Sequence, residues 1–135
     1  MSYPIEDIEG IGPTYGAKLA GIGIKTTAAL LDKGASPSGR KAIADEADIS
    51  EKLILEWCNL ADLMRINGVG PQFSELLEAA GVDTVKELRN RNAANTAAKM
   101  AEVNAEKKLT RVVPSESQVQ DWIDEAKTMD PVLTY

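Results

Sequence analysis

The chain contains no histidine, which removes the commonest general base and the commonest metal ligand. Its one cysteine, Cys58, excludes an intrachain disulfide and any cysteine-rich zinc site. Aromatic residues fill only 4% of the 135 positions, so the core must be mainly aliphatic. No apolar run approaches the roughly 20 residues needed to cross a bilayer, and MSYPIEDIEG lacks the basic and apolar regions of a signal peptide. Basic residues are the minority, 15 Lys and Arg against 21 Asp and Glu, leaving a formal net charge of −6. Any nucleic-acid role must work against that field, because phosphate binding draws mainly on Lys and Arg. No serine or cysteine is paired with a base, and Asp45, Glu46 and Asp48 lack the DxDxDG spacing of a calcium loop. These absences predict a soluble, cytoplasmic, non-enzymatic protein that needs no cofactor and no metal.

What the chain does have is a doubled motif. Gly10-Ile11-Gly12-Pro13 returns almost unchanged as Gly68-Val69-Gly70-Pro71. Glycine at i and i+2 allows a sharp turn through positive φ. Proline directly after it suits the first position of a helix, where its missing N–H costs nothing. Each copy therefore predicts helix, tight hairpin, helix, with free amides at the second helix's N-terminus, a place suited to an anion.

The repeat extends well beyond the turns. A shift of 58 positions pairs Tyr15 with Phe73, Leu19 with Leu77, Gly23 with Gly81, Thr26 with Thr84, Leu30 with Leu88 and Lys41 with Lys99. Further on the shift grows to 65 and pairs Trp57 with Trp122, Ala61 with Ala126 and Met64 with Met129. The second copy thus carries about seven extra residues near Ala105 to Arg111. A match of this length reads as a duplication.

No segment alternates with period two long enough to make a strand, so the pattern predicts an all-α protein of about ten short helices. Pro4 opens a short first helix, and a second runs from Pro13 to Ala20. Thr26, Ser36, Ser50, Thr84 and Ser115 read as N-caps, with capping boxes at Thr84/Glu87 and Ser115/Gln118. Ser50 opens a long helix reaching about Ile66, with Leu53, Trp57, Leu60, Ala61 and Met64 at helical spacing. That helix runs straight into the second turn, so the two units, 1–58 and 59–135, are expected to share it and pack as one compact protein.

Asp7-Ile8-Glu9-Gly10-Ile11-Gly12-Pro13 and Arg65-Ile66-Asn67-Gly68-Val69-Gly70-Pro71 resemble the helix-hairpin-helix motif of many DNA-repair and replication proteins. Most of the chain further resembles an uncharacterised bacterial family built from two tandem helix-hairpin-helix units. ADLMRINGVG, AAGVDTVKELRNRN, VNAEKKL and PVLTY carry that closer match. The resemblance implies two SAM-like small helical bundles. It also implies non-sequence-specific DNA binding, in which hairpin amides grip a phosphate without reading bases. Carried over by position, the contacts fall on Gly10, Gly12 and Thr14, and on Gly68, Gly70 and Gln72. Thr14 and Gln72 stand where many DNA-binding hairpins place a lysine, and Glu6, Asp7 and Glu9 crowd the first turn.

Two functions stay open on these residues. In the first, the protein is a non-enzymatic binding module for nucleic acid, or for a protein of a DNA-associated complex. Lys18 then supports the first turn, and Arg65, Lys86 and Arg89, with Arg91, surround the second, which is the better phosphate candidate. In the second, the turns only pack helices and the protein is a protein–protein interaction scaffold. The same charges then form solvated helix ends. Trp57 and Trp122 read as core anchors, and Cys58, replaced by Ile123 in the other copy, as a packing site.

Overall fold

The computed structural model describes residues 2–135, and among them every regular element is helical. A single 3-10 turn, Ile5–Asp7, precedes eight α-helices. They are α1 (Gly12–Ala20), α2 (Thr27–Gly34), α3 (Pro37–Ala47), α4 (Glu51–Leu63), α5 (Pro71–Ala79), α6 (Val85–Leu88), α7 (Ala93–Lys107) and α8 (Glu116–Thr128). The only sheet-like pairing among the described residues is one antiparallel bridge between Pro4 and Thr26.

The helix starts follow the cap residues. Side-chain oxygens of Thr26, Ser36, Ser50, Thr84, Asn92 and Ser115 each accept a backbone N–H three residues on, at 3.0 to 3.3 Å. Each such cap contributes about 1 kcal/mol. The Ser115 box closes, because Gln118 Oε1 also accepts from the Ser115 amide at 3.0 Å. The Thr84 box closes only halfway. Glu87 Oε2 reaches past Thr84 and accepts from the Asp83 amide at 3.3 Å. The long helix expected to reach Ile66 stops at Leu63, where Met64 closes it with αR geometry.

Two hydrophobic clusters fill the interior. The first gathers Ile8, Leu19, Ile24, Leu30, Ile43, Ile54 and Trp57. The second gathers Ile66, Leu76, Leu77, Leu88, Met100, Val119 and Trp122. Helix α4 serves both: Trp57, Cys58, Leu60 and Ala61 enter the first cluster, whereas Leu63 enters the second. Asp62 adds a polar tie, accepting the Val85 amide at the start of α6 on Oδ2 at 2.8 Å. A helix buried on two sides cannot swivel without opening both clusters, so the halves form one compact body.

Matching residues find matching surroundings. The Tyr15 and Trp57 rings lie 5.1 Å apart at 60°, and the Phe73 and Trp122 rings 5.3 Å apart at 53°. Each pair seats the helix that follows a glycine turn on the long helix of its own half. Tilted aromatic pairs of this spacing are favourable beyond simple burial. In the extra segment of the second half, Asn104 holds the chain after α7 by bonding both the amide and the carbonyl of Thr110.

Candidate functional site

The two glycine turns begin alike. Gly10 and Gly68 take φ of +91° and +88°, a region L side chains rarely adopt. The Ile11 amide donates back to Ile8 O at 3.2 Å, and the Val69 amide to Ile66 O at 3.1 Å. A tryptophan backs each turn. A Cβ on Gly10 would lie 3.8 Å from Trp57 Nε1, and one on Gly68 only 3.2 Å from Trp122 Nε1.

At the second glycine the turns diverge. Gly12 has φ +61°, whereas Gly70 is extended at φ −98° and ψ −165°. Positive φ is therefore not what Gly70 supplies. Tyr3 Oη lies 3.7 Å from where its Cβ would be, so the N-terminal segment of the first half abuts the second turn.

The amides of Gly10, Gly12 and Thr14, and of Gly68, Gly70 and Gln72, make no hydrogen bond among the described residues. Neither helix start has a side-chain cap. Both N-termini therefore keep orphan donors and the positive end of a helix dipole. The amide just before the second turn is occupied: Asn67 donates to Glu125 Oε2 at 3.1 Å. Glu125 was not singled out from the sequence, yet it stands three residues after Trp122, the ring that packs behind Gly68. That i,i+3 spacing is the signal that points to it.

What faces these donors is acidic. A cleft in front of the second turn is lined by Asp7 and Glu9 on one side and by Gly70, Pro71, Gln72 and Phe73 on the other. Sequence position put both carboxylates at the first turn, but packing of the halves also brings them to the second. The negative field continues along α5. Burial, then repulsion from Glu9, raises the Glu75 carboxyl above its ordinary range, with Lys107 opposing. Burial, then Asp83, Glu56 and Glu75, does the same to Glu78. Lys107, in the extra segment of the second half, thus answers the protein's own carboxylates.

Of the basic residues expected beside the turns, Lys18, Arg65 and Arg91 are engaged elsewhere. Lys18 Nζ donates to Asp48 O at 3.2 Å. Arg65 places Nε and Nη2 on Asp62 Oδ1, at 3.0 and 2.8 Å, and reaches Asp130 O at 3.3 Å. Lys86 lines a separate small cleft with Asp62, Thr84 and Tyr135. Arg89 closes α6, and its guanidinium makes no ion pair among the described residues. Arg91 donates to Gly81 O at 3.1 Å and pairs with Glu87 at 3.6 Å. Gly81 lies beyond the far end of α5, a helix about 13 Å long, so Arg91 is remote from the second turn. The second turn, the better phosphate candidate on its basic neighbours in the sequence, shares its cleft with Asp7 and Glu9.

Among the described residues no group of three or more His, Cys, Asp or Glu side chains is placed to hold a metal ion. No helix among the described residues is long and apolar enough to cross a membrane. Cys58 is wholly buried, and burial pushes its thiol up to about 12, Arg40 lowering it and Asp62 raising it less. Such a thiol is no nucleophile at neutral pH.

A family model described as "Domain of unknown function (DUF4332)" matches residues 9–129. The chain belongs to that family. The DUF4332 match contains both glycine turns and α1 to α8, and ends before the last six residues. No curated protein and no solved structure matches the chain.

Proposed function

We propose that this DUF4332 chain is a non-enzymatic protein-interaction scaffold whose two turns are rigid joints of the helix-hairpin-helix type. The observation that carries the proposal is the cleft where Asp7 and Glu9 face the second turn. A helix N-terminus attracts an anion through its free amides and dipole, but here two acidic residues line the cleft in front of it. Duplex DNA carries one negative charge per about 1.7 Å of axis, so docking there sets several phosphates against this acidic face. The formal charge of −6 acts in the same direction at longer range.

Capture of partners from a nuclease-treated cell extract tests the reading. A protein retained after complete nuclease digestion supports it, and loss of every partner on digestion overturns it.

A second reading keeps one observation on its side. The six turn amides have no acceptor among the described residues, which is the donor set that non-specific phosphate binding needs. It makes the protein a sequence-independent nucleic-acid binder through Gly10, Gly12 and Thr14 and through Gly68, Gly70 and Gln72. A Gly12→Ala variant that lost DNA affinity while keeping its fold would favour this alternative.

A further inference from the structure

After α8 the chain does not stay with its own half. Residues 132–134 cross to the first half, and Thr134 settles against the junction of α2 and α3. The Thr134 amide donates to Ala35 O at 2.8 Å, and its hydroxyl to the same oxygen at 3.3 Å. Leu133 enters the first hydrophobic cluster, with Val132 packed beside it. Tyr135 Oη donates to Asn59 Oδ1 at 3.0 Å.

Beneath this segment lies Arg40, only 4% exposed and without a carboxylate within ion-pair distance among the described residues. Its Nη1 donates to Gly34 O at 2.9 Å and Ala35 O at 3.1 Å, and its Nη2 to Thr134 O at 2.6 Å. The Tyr135 ring covers the guanidinium at 5.5 Å. A buried cation is costly unless its donors are satisfied. Here the carbonyls of two chain segments and one aromatic face do so. The shift of 58 puts Ala98 at the matching place in the second half, so this groove is particular to the first.

We propose that the groove formed by the Gly34 and Ala35 carbonyls, Arg40 and Asn59 is a recognition site for an extended segment of the pattern Leu-x-aromatic. In the isolated chain its occupant is Leu133-Thr134-Tyr135. The segment is read as peptide ligands are read: a backbone amide and carbonyl fix register, and two side chains fix identity. Its hydrogen bonds all run to residues 35–59. Towards the second half it only lines a small cleft with Thr84 and Lys86, so its release breaks no hydrogen bond to α5–α8. A partner of the scaffold then docks by supplying a segment of this pattern in place of the tail. The inference deepens the scaffold reading and fails separately from it, because nuclease-resistant capture can occur through another face of the protein.

The test uses the full chain with Leu133→Ala and Tyr135→Ala, which releases the tail, and a fluorescein-labelled peptide of residues 129–135. Circular dichroism establishes that the variant stays helical. A tethered segment competes at about millimolar effective concentration. The released chain should therefore bind the peptide saturably and at least about tenfold more tightly than wild type. Adding Asn59→Ala should weaken that binding severalfold, and a peptide with Leu and Tyr replaced by Ala should not bind. Equal binding to wild type, or none up to about 1 mM peptide, overturns the proposal. If the released chain fails to fold, amide exchange on wild type decides. Thr134 should exchange by local opening well before Trp122 in α8, whereas exchange of the two only together overturns it.

Discussion

Substituting the four turn glycines by alanine, one at a time, separates what nearly identical sequences conceal. GIGP and GVGP imply equal costs at equivalent positions, but the structure implies a ranking. At Gly70, φ is −98° and a new Cβ lies 3.7 Å from Tyr3 Oη, an ordinary contact. That substitution should stay within about 0.5 kcal/mol of wild type. At Gly12, φ is +61° with nothing within 4 Å, so only the left-handed penalty applies, about 1 kcal/mol. Gly10, at φ +91°, lies further from the left-handed minimum and should cost about 2 kcal/mol. Gly68 has the same backbone and also a contact of 3.2 Å with Trp122 Nε1, an indole packed on Phe73. Overpacking adds about 1 kcal/mol there, giving about 3. With a urea m-value of about 2 kcal/mol/M, the midpoints should fall by about 0.2, 0.5, 1 and 1.5 M in that order. Intrinsic fluorescence reads the transition directly, since Trp57 and Trp122 back the two turns. Equal losses for Gly12→Ala and Gly70→Ala would refute the claim that the turns differ at their second glycine.

Three further outcomes follow from buried groups. A Cβ at Gly34 would lie 2.6 Å from Cys58 Sγ, so Gly34→Ala should destabilise by about 1–2 kcal/mol, and the loss should vanish in a Cys58→Ala background; chemical denaturation of the double-mutant cycle measures both. Because burial raises the Cys58 thiol to about 12, the unfolded chain loses that proton first as pH climbs. The thiol's contribution to stability should thus be whole below about pH 9 and decline above it, and Cys58 should resist alkylation at pH 8 until urea unfolds the chain. Glu78, raised by burial and by Asp83, Glu56 and Glu75, is stabilised when protonated, so its charge opposes folding at neutral pH. Glu78→Gln should therefore raise the melting temperature at pH 7, with the gain shrinking as pH falls through the raised value toward the ordinary carboxylate range.

Local chemistry made the helices legible in the sequence. Ser36-Pro37, Ser50 and the Ser115/Gln118 box start helices where the cap rule places them, and Trp57 and Trp122 face inward as their spacing requires. The Thr84 box was misread because Glu87 can reach either of two adjacent amides, and spacing alone does not choose between them. The candidate site was harder. Periodicity says which face of a helix is apolar, but not which distant residue arrives opposite it. Asp7 and Glu9 meet Gly70 and Gln72 only because α4 fixes the halves against each other. Arg65 looks free in sequence, and only the fold turns it onto Asp62 and Asp130. Likewise, no local signal pairs Arg40 with a carbonyl 94 residues away.

The central claim is that the protein's own carboxylates keep phosphate from the second turn. Titration of labelled duplex DNA at about 50 mM salt, with wild type and with an Asp7→Asn/Glu9→Gln variant, tests it most directly. The account predicts no saturable binding by wild type and a weak, salt-sensitive gain in the variant. Tight binding by wild type, unchanged when those two charges are removed, would contradict it.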